Sequence, residues 1–261
     1  MKLVFKFFSL LVLVGCTLVL PSSVWASERL TLVTVENSPD TFAGEIILLK
    51  AYRKLNIELT IKRLPAARAL KLASTGKVDG EIQRIDAIKK LFKNLVQIRP
   101  AINFLEVGVF TKSKNFQING WESLRQNSLG IIRGIKFTEI NTAGMNTVVV
   151  NGYKSAFKML DKERFDLAVI PRLNGLFEQA KSKNTDIREL VPAVQRYELF
   201  HYLHKSKVHL VPKISSVIKS MKQNGELDSI KKQVVTILLR LAESRRSICK
   251  DDYSCFSNIL K

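Results

Sequence analysis

The chain has 261 residues, of which 46% are hydrophobic and 25% are charged, and these ordinary fractions exclude extensive disorder. Its length falls between one large domain and two small ones and is sufficient to bury a sizeable core. The net charge of +19 suggests a nucleic-acid partner, but the basic residues are spread along the chain and are not interleaved with aromatic residues. We therefore expect a solvated basic surface and no nucleic acid, with attraction of an anionic ligand or partner as the alternative.

The first 26 residues follow the order of segments in a secretory signal peptide. Lys2 and Lys6 form a positive start, residues 7–20 are almost entirely apolar, and small or branched residues lead up to Ala26. We expect cleavage after Ala26 and a periplasmic protein. A membrane anchor is one alternative, although an anchor needs roughly 20 apolar residues and this run is shorter. A lipoprotein modified at Cys16 is another, although the residues that follow this cysteine are apolar where a polar tether is usual.

Strand-like and helix-like segments alternate in the first part of the exported chain. The predicted elements are a strand at residues 30–35, a helix at 44–55, a strand at 58–62, a helix at 66–73 and a strand at 78–85. Pro65 fits the first turn of the second helix, and Gly76 is typical of a helix end. The order β-α-β-α-β predicts a parallel sheet with helices on its faces.

The same alternation restarts after a long apolar strand at residues 102–112. The predicted elements are then a short helix at 121–124, a strand at 129–132, a turn entering a helix that runs through residue 139, a strand at 147–150, a helix at 154–160, a strand at 165–170, a turn and helix at 171–181, a returning strand at 197–203, and helices at 211–221 and 228–241. The sequence therefore predicts two β/α units in succession, without a tandem repeat.

A series of short motifs extends over essentially the whole exported chain. They are Val35-Glu36-Asn37-Ser38-Pro39, Leu64-Pro65 with Arg68-Ala69-Leu70, Gly76-Lys77-Val78-Asp79-Gly80-Glu81 with Arg84, Asn94-Leu95-Val96, Arg99-Pro100, Trp121 to Leu124, Arg133-Gly134, Met159-Leu160, Arg164-Phe165-Asp166-Leu167, His201-Tyr202-Leu203-His204-Lys205 and Leu210-Val211-Pro212. Each motif is weak alone. In this order, behind a signal peptide, the set resembles bacterial solute-binding proteins of the type II periplasmic fold, in the amino-acid-binding-like group (extracellular solute-binding protein family 3).

The resemblance implies an α/β fold with two lobes, each a β-sheet flanked by helices, joined by a hinge of two crossing strands. Lobe 1 would be discontinuous, with residues 27–109 and 202–261, and lobe 2 would comprise residues 110–201. Proteins of this kind capture a small polar solute, such as an amino acid or organic acid, between their lobes for uptake or sensing. We therefore expect a monomeric, non-enzymatic protein without a cofactor, whose partners are a small-molecule ligand and an inner-membrane permease or sensor.

The resemblance also indicates where the ligand would lie, because ligands of open α/β sheets bind beyond the carboxyl ends of the strands. The predicted ligand-binding residues are Glu36, Asn37, Ser38, Arg68, Arg84, Arg133, Gly134, Lys136, Phe137 and Arg172. A guanidinium can hold a carboxylate with two hydrogen bonds, and the turn at Arg133 and Gly134 offers free backbone N–H groups to an anion. For Arg84, a structural ion pair with Asp79, Glu81 or Asp86 is the alternative.

Two features depart from the amino-acid-binding pattern. The usual Thr-x-x-Arg spacing is absent around Arg84, and no acid follows the later strand of lobe 2, where Pro171 and Arg172 stand. These departures argue against an ordinary α-amino acid. We expect a small anionic or zwitterionic ligand, held partly by arginine.

Several residues outside this set allow more than one interpretation. Cys249 and Cys255 form an even pair in an exported chain, which predicts one disulfide, whereas a metal site is disfavoured because no histidine lies nearby. Phe42 and Tyr153 either stack on the ligand or belong to the core, and His201 is expected to be a hydrogen-bonded structural histidine. Two other functions remain open: a partner of a membrane signalling protein, and an enzyme that dehydrates cyclic acids with a cleft carboxylate, for which Glu36 and Glu81 are the candidates.

Overall fold

The structure is a computed structural model that describes residues 28–182, 186–244 and 253–260. Its strands are β1 (Glu28–Val35), β2 (Ile57–Leu64), β3 (Gly80–Ile85), β4 (Leu95–Gln97), β5 (Asn103–Thr111), β6 (Leu129–Ile132), β7 (Thr147–Val150), β8 (Leu167–Pro171), β9 (Arg188–Leu190) and β10 (Arg196–His204). Its helices are α1 (Thr41–Arg53), α2 (Ala66–Ser74), α3 (Ile88–Leu91), α4 (Lys136–Asn141), α5 (Tyr153–Asp161), α6 (Arg172–Lys181), α7 (Val211–Gln223), α8 (Glu226–Glu243) and α9 (Ser257–Leu260).

The strands form two sheets that are connected through β5 and β10. In lobe 1, β1 pairs in parallel with β2 and β3, and β10 runs antiparallel to β3 and β4. In lobe 2, β6 pairs in parallel with β7 and β8, and β5 runs antiparallel to β8 and β9. The two sheets meet where β5 and β10 pair with each other, from Asn103 opposite Leu199 to Glu106 opposite Arg196. The predicted fold of two α/β lobes with a hinge of two strands is therefore confirmed.

The long predicted elements agree with the structure to within a few residues, and the parallel pairing of the first three strands is confirmed. The short elements α3, β4, β9 and α9 were not predicted. Each has three or four residues, which is too few to show a hydrophobic period. β4 and β9 exist because they pair with the hinge strands β10 and β5, and such long-range pairing has no local signature.

Lobe 1 buries its apolar side chains on both faces of its sheet. α1 is enclosed almost completely, because its central residues pack between the sheet and the apolar faces of α7 and α8. Ile46 and Ile47 of α1, Ile218 of α7 and Leu238 of α8 are fully buried in this layer. This packing makes the start of α1, which follows the loop after β1, a rigid part of the molecule.

The predicted structural role of His201 is confirmed. Its ring is fully buried on β10, with Nε2 2.8 Å from the Tyr52 hydroxyl and Nδ1 2.8 Å from the Glu81 carbonyl oxygen. A carbonyl can only accept, so Nδ1 carries the proton and Nε2 accepts from Tyr52. Burial lowers the pKa of His201 to about 4, and hydrogen bonding to the backbone at Glu81 and Ile82 offsets part of that shift. The neutral ring is therefore the form that the folded protein requires.

This lowered pKa makes stability depend on pH. The contribution of a neutral His201 is fully present above about pH 6.5 and is lost as the pH falls toward 4, because the unfolded chain binds the proton more readily. Between pH 7.5 and pH 5, we expect the wild type to lose about 2 kcal/mol more unfolding free energy than His201→Gln. Guanidinium titrations at the two pH values measure this difference. The exposed His209 provides the control: His209→Gln should follow the wild type, and equal pH dependence of wild type and His201→Gln would refute the assignment.

Some predictions concern residues beyond the described ranges. The predicted signal peptide at residues 1–26, which includes Cys16, lies outside the part of the chain that the structure describes. So does Cys249, the predicted disulfide partner of Cys255. The signal peptide and the disulfide therefore stay predictions. Within residues 28–182, 186–244 and 253–260, no helix combines the length and apolar character that crossing a membrane requires.

Candidate ligand-binding cleft between the two lobes

The loop between β1 and α1 lies where the two lobes meet and contacts lobe 2 directly. Asn174 of α6 donates from Nδ2 to Ser38 Oγ and to Asp40 Oδ1, at 2.9 Å in each case. The backbone N–H of Asp40 donates in return to Asn174 Oδ1 at 3.0 Å, and the Tyr153 hydroxyl of α5 lies 3.2 Å from Ser38 Oγ. Burial raises the pKa of Asp40, and the hydrogen bonds from Ser38 and Asn174 offset only part of that effect. These four side chains form a polar network that links the lobes.

Arg84 at the end of β3 is held by a carboxylate of its own chain. Its Nε donates to Glu81 Oε1, and its Nη2 donates to the carbonyl oxygen of Ala66 at 3.0 Å. Both side chains of the pair are buried, and Glu81 Oε2 has no hydrogen-bond partner among the described residues. Burial raises the pKa of Glu81 to about 7, although the charge and hydrogen bond of Arg84 act in the opposite direction. The ion pair weighed as an alternative for Arg84 is therefore present.

The turn at Gly134 is also filled by a carboxylate of the chain. The Gly134 N–H donates to Glu139 Oε1 at 2.6 Å, and Lys136 Nζ donates to Glu139 Oε2 at 2.5 Å. Partial burial opposes ionisation of Glu139, but the hydrogen bonds from Lys136 and Gly134 outweigh it and hold its pKa below the ordinary value. The backbone groups that were expected to receive an anion thus already bind one.

Among the cavities between the lobes, two share Ser38 and Tyr153 as lining residues. The inner cavity has about 40 Å³ and is lined by Val35, Ser38, Asp40, Thr41, Gln83, Arg84, Ile85, Leu105, Ile135, Lys136, Phe137, Tyr153, Pro171 and Leu199. The outer chamber has about 830 Å³ and is lined by residues 35, 37–39, 41, 42 and 63 of lobe 1 and by residues 151–155, 157, 158, 161, 177, 178, 181 and 182 of lobe 2. The outer chamber lies within the usual volume range of ligand pockets, whereas the inner cavity is far below it.

The predicted site residues are distributed unevenly over these spaces. Ser38, Arg84, Lys136 and Phe137 line the inner cavity, and Asn37 lines the outer chamber together with Ser38. Phe137 is buried and stacks on Tyr197 of β10, with ring centroids 5.6 Å apart. The structure thus brings these five predicted residues to the cleft.

Five other predicted residues line neither the inner cavity nor the outer chamber. Glu36 and Gly134 contribute backbone N–H groups to hydrogen bonds with Leu64 and Glu139, respectively. Arg68 is exposed on α2, and Arg133 is exposed and donates to Asn151 at 3.1 Å. Arg172 is held by Glu189 at 2.7 Å and lies 3.6 Å from Glu106, beside a separate pocket of about 250 Å³.

Several cleft residues were missed by the reasoning from sequence. Asp40 and Asn174 each have a weak signal, because one ends the loop after β1 and the other lies in the first turn of the helix after β8. Glu139 has a better signal, since an acid in the first turn of a helix often accepts from the preceding backbone N–H groups. Phe42, which was weighed as a ligand-stacking residue, is buried and packs against Phe256.

No protein-family model matches the chain. The chain is 26% identical over 226 residues to an uncharacterized protein of Shewanella oneidensis, and the match covers 81% of this chain and 84% of that protein.

Several solved structures have folds similar to that of this chain. The GluR0 ligand-binding core in complex with L-glutamate matches with a TM-score of 0.70 at 10% identity, covering 80% of this chain and 99% of that one. A histidine kinase sensor domain with similarity to periplasmic binding proteins matches with a TM-score of 0.68 at 12% identity, covering 78% and 95%. An ancestral arginine-binding protein bound to glutamine matches with a TM-score of 0.67 at 17% identity, covering 80% and 98%. The chain therefore has the two-lobed α/β fold of type II periplasmic binding proteins.

Proposed function

We propose that this protein binds a small polar solute, such as an organic acid or amino acid, in the cleft between its lobes and does not transform it. The observation that carries the proposal is the outer chamber of about 830 Å³, whose walls come from both lobes. A solute in this chamber contacts lobe 1 and lobe 2 together, so its binding favours the arrangement in which the lobes are close.

The proposal also covers where the protein acts and which residues form each lobe. After loss of residues 1–26 the protein would act as a monomer in the periplasm, with lobe 1 at residues 27–109 and 202–261 and lobe 2 at residues 110–201. The similar structures whose names state a bound molecule carry L-glutamate, glutamine or arginine, and these support a small polar solute. Delivery to an inner-membrane permease is the role that we propose first.

A thermal-shift screen over organic acids, amino acids and polyamines tests the proposal. A ligand present at a hundred times its Kd stabilises the folded state by about 2.7 kcal/mol. For a chain of this size, we expect the melting temperature to rise by about 5–10 °C. Analysis of the incubated solute by mass spectrometry should show that it is unchanged, and formation of a product would indicate an enzyme instead.

A pair of variants on α5 shows whether a hit occupies the chamber. Ser155 is exposed and lines the outer chamber, so Ser155→Trp should fill it and abolish the thermal shift. Lys162 is exposed just beyond the other end of α5 and does not line the chamber, so Lys162→Trp should leave the shift intact. If Ser155→Trp kept the full shift, the solute would bind elsewhere and the proposal would fail.

A role in sensing is a second candidate, because the fold is also that of a histidine kinase sensor domain. In that case the solute-loaded protein would contact a membrane signalling protein rather than a permease. Uptake of the radiolabelled solute separates the two roles: deletion of the protein should abolish uptake if it serves a permease, and should abolish only a transcriptional response if it serves a sensor.

A further inference from the structure

The outer chamber is lined by more basic than acidic side chains. Arg63 of β2 faces it from lobe 1, and three lysines face it from lobe 2, which are Lys154, Lys158 and Lys181. The acids that line it are Asp161 and Glu178. Asp161 is already paired with Lys112 of β5, with 3.4 Å between Oδ1 and Nζ. Because Arg63 forms an ion pair with the buried Glu45, the excess of positive charge comes from the three lysines of lobe 2.

The basic residue of lobe 1 is fixed in place. Arg63 Nη2 donates to Glu45 and to the Tyr253 hydroxyl at 2.9 Å, and the guanidinium lies 5.2 Å from the ring centroids of both Phe42 and Tyr253. Its Nε is buried without a hydrogen-bond partner among the described residues. A cation held in this way loses little conformational entropy when an anion binds beside it.

The lysines of lobe 2 come from two helices. Lys154 and Lys158 are one turn apart on α5, whose first residues follow Gly152 without a side-chain cap or an acid in the first turn. Lys181 ends α6, with its Nζ 4.8 Å from the ring centroid of Phe177. Lys154 and Lys158 are exposed, and no described side chain forms an ion pair with either of them. These charges are available to a solute.

The cations that line the inner cavity, Arg84 and Lys136, are each bound by a carboxylate of the chain. Arg84 is bound by Glu81, and the Gly134 turn and Lys136 are bound by Glu139. The inner cavity of about 40 Å³ has room for one or two water molecules and not for an amino acid. Of these two spaces, the outer chamber is the one with enough volume for the solute.

We infer, building on the proposed function, that the solute is an anion with at least two negative charges, held in the outer chamber between Arg63 of lobe 1 and Lys154, Lys158 and Lys181 of lobe 2. Its charged groups neutralise the lysines of lobe 2, which carry the excess of positive charge. The net charge of +19 also draws such a solute toward the protein from a distance.

Isothermal titration calorimetry with named probes tests this inference. Citrate represents polycarboxylates and glycerol phosphate represents phosphorylated solutes, while L-arginine and spermidine are the cationic comparisons. We expect citrate or glycerol phosphate to bind with one-to-one stoichiometry, and the two arms show whether carboxylate or phosphate groups are preferred. Affinity should fall as salt is raised, because the contacts are largely ionic.

Charge variants on α5 complete the test. The double variant Lys154→Gln with Lys158→Gln should weaken binding of the anion at least tenfold, whereas Lys162→Gln, which removes one charge outside the chamber, should alter it less than twofold. Equal weakening by both would show non-specific attraction and would overturn the inference.

The outcomes also separate the inference from the proposed function. If L-arginine or spermidine binds, Ser155→Trp abolishes that binding and neither anion binds, then the inference of an anionic solute is wrong. The proposed binding function stands in that case. If none of the four probes and no solute of the thermal-shift screen binds, both are wrong.

Discussion

Arg84→Met is expected to lower the unfolding free energy by about 3–5 kcal/mol at pH 8, because it leaves the carboxylate of Glu81 buried without its cation. Glu81 is fully buried, and one of its oxygens already lacks a partner among the described residues. Denaturant titration followed by circular dichroism measures the change. The exposed Arg68 gives the matched control, since Arg68→Met should change stability by less than about 0.5 kcal/mol.

The loss caused by Arg84→Met should depend on pH. The pKa of Glu81 is already raised to about 7, and removal of Arg84 takes away the charge that opposes this shift. A raised folded-state pKa gives stability that is present at low pH and is lost as the pH rises through that pKa. The variant should therefore be closer to the wild type at pH 5 than at pH 8. Adding Glu81→Gln to Arg84→Met should recover most of the stability at pH 8, and a double variant as unstable as the single one would disprove the account.

Gly134→Ala is expected to prevent the close approach of the lobes and to weaken ligand binding at least tenfold. Gly134 has a φ of 81°, and a Cβ atom placed on it would lie 2.4 Å from the backbone nitrogen of Ala67 on α2 of lobe 1. Because the obstructing atoms belong to the backbone, relief requires the lobes to separate. Small-angle X-ray scattering should show a larger radius of gyration for the variant, and calorimetry should show the loss of affinity.

Gly144 provides a control that separates this contact from backbone strain. Its φ of 77° is nearly the same as that of Gly134, and a Cβ atom there would have no neighbour within 4 Å. Gly144→Ala should therefore carry the cost of a left-handed alanine, about 1–2 kcal/mol, without affecting the radius of gyration or the affinity. If the two variants behaved alike, the contact between Gly134 and Ala67 would have no role in closure.

The fold could be predicted from the sequence because the signals that specify its long strands and helices lie within each element. Residues 30–35 have the composition of an apolar strand, and residues 58–62 alternate between polar and apolar side chains. Pro65 and Gly76 mark the limits of the helix that follows. The order of these elements implies parallel pairing, and β1 does pair in parallel with β2 and β3. The short strands β4 and β9 escaped prediction because only their partners define them.

The cleft could be predicted in part only, because its chemistry depends on contacts between distant residues. The loop at Ser38 was located from its position after a strand, but its partner Asn174 lies 136 residues away on the other lobe. Arg84 and Gly134 were expected to meet the ligand because their chemistry suits an anion. The sequence did not reveal that Glu81 and Glu139 satisfy that chemistry within the chain.

The ionised groups around the inner cavity are bound within the chain, and this has a consequence for the timing of dehydration. Removing water from Arg84, Glu81 and Glu139 costs free energy, and this cost is met once, when the protein folds. A solute that enters the outer chamber needs to dehydrate only itself, Arg63 and the lysines that line the chamber. We therefore expect association close to the rate of a charge-steered encounter, with release rather than entry determining how long each solute is retained.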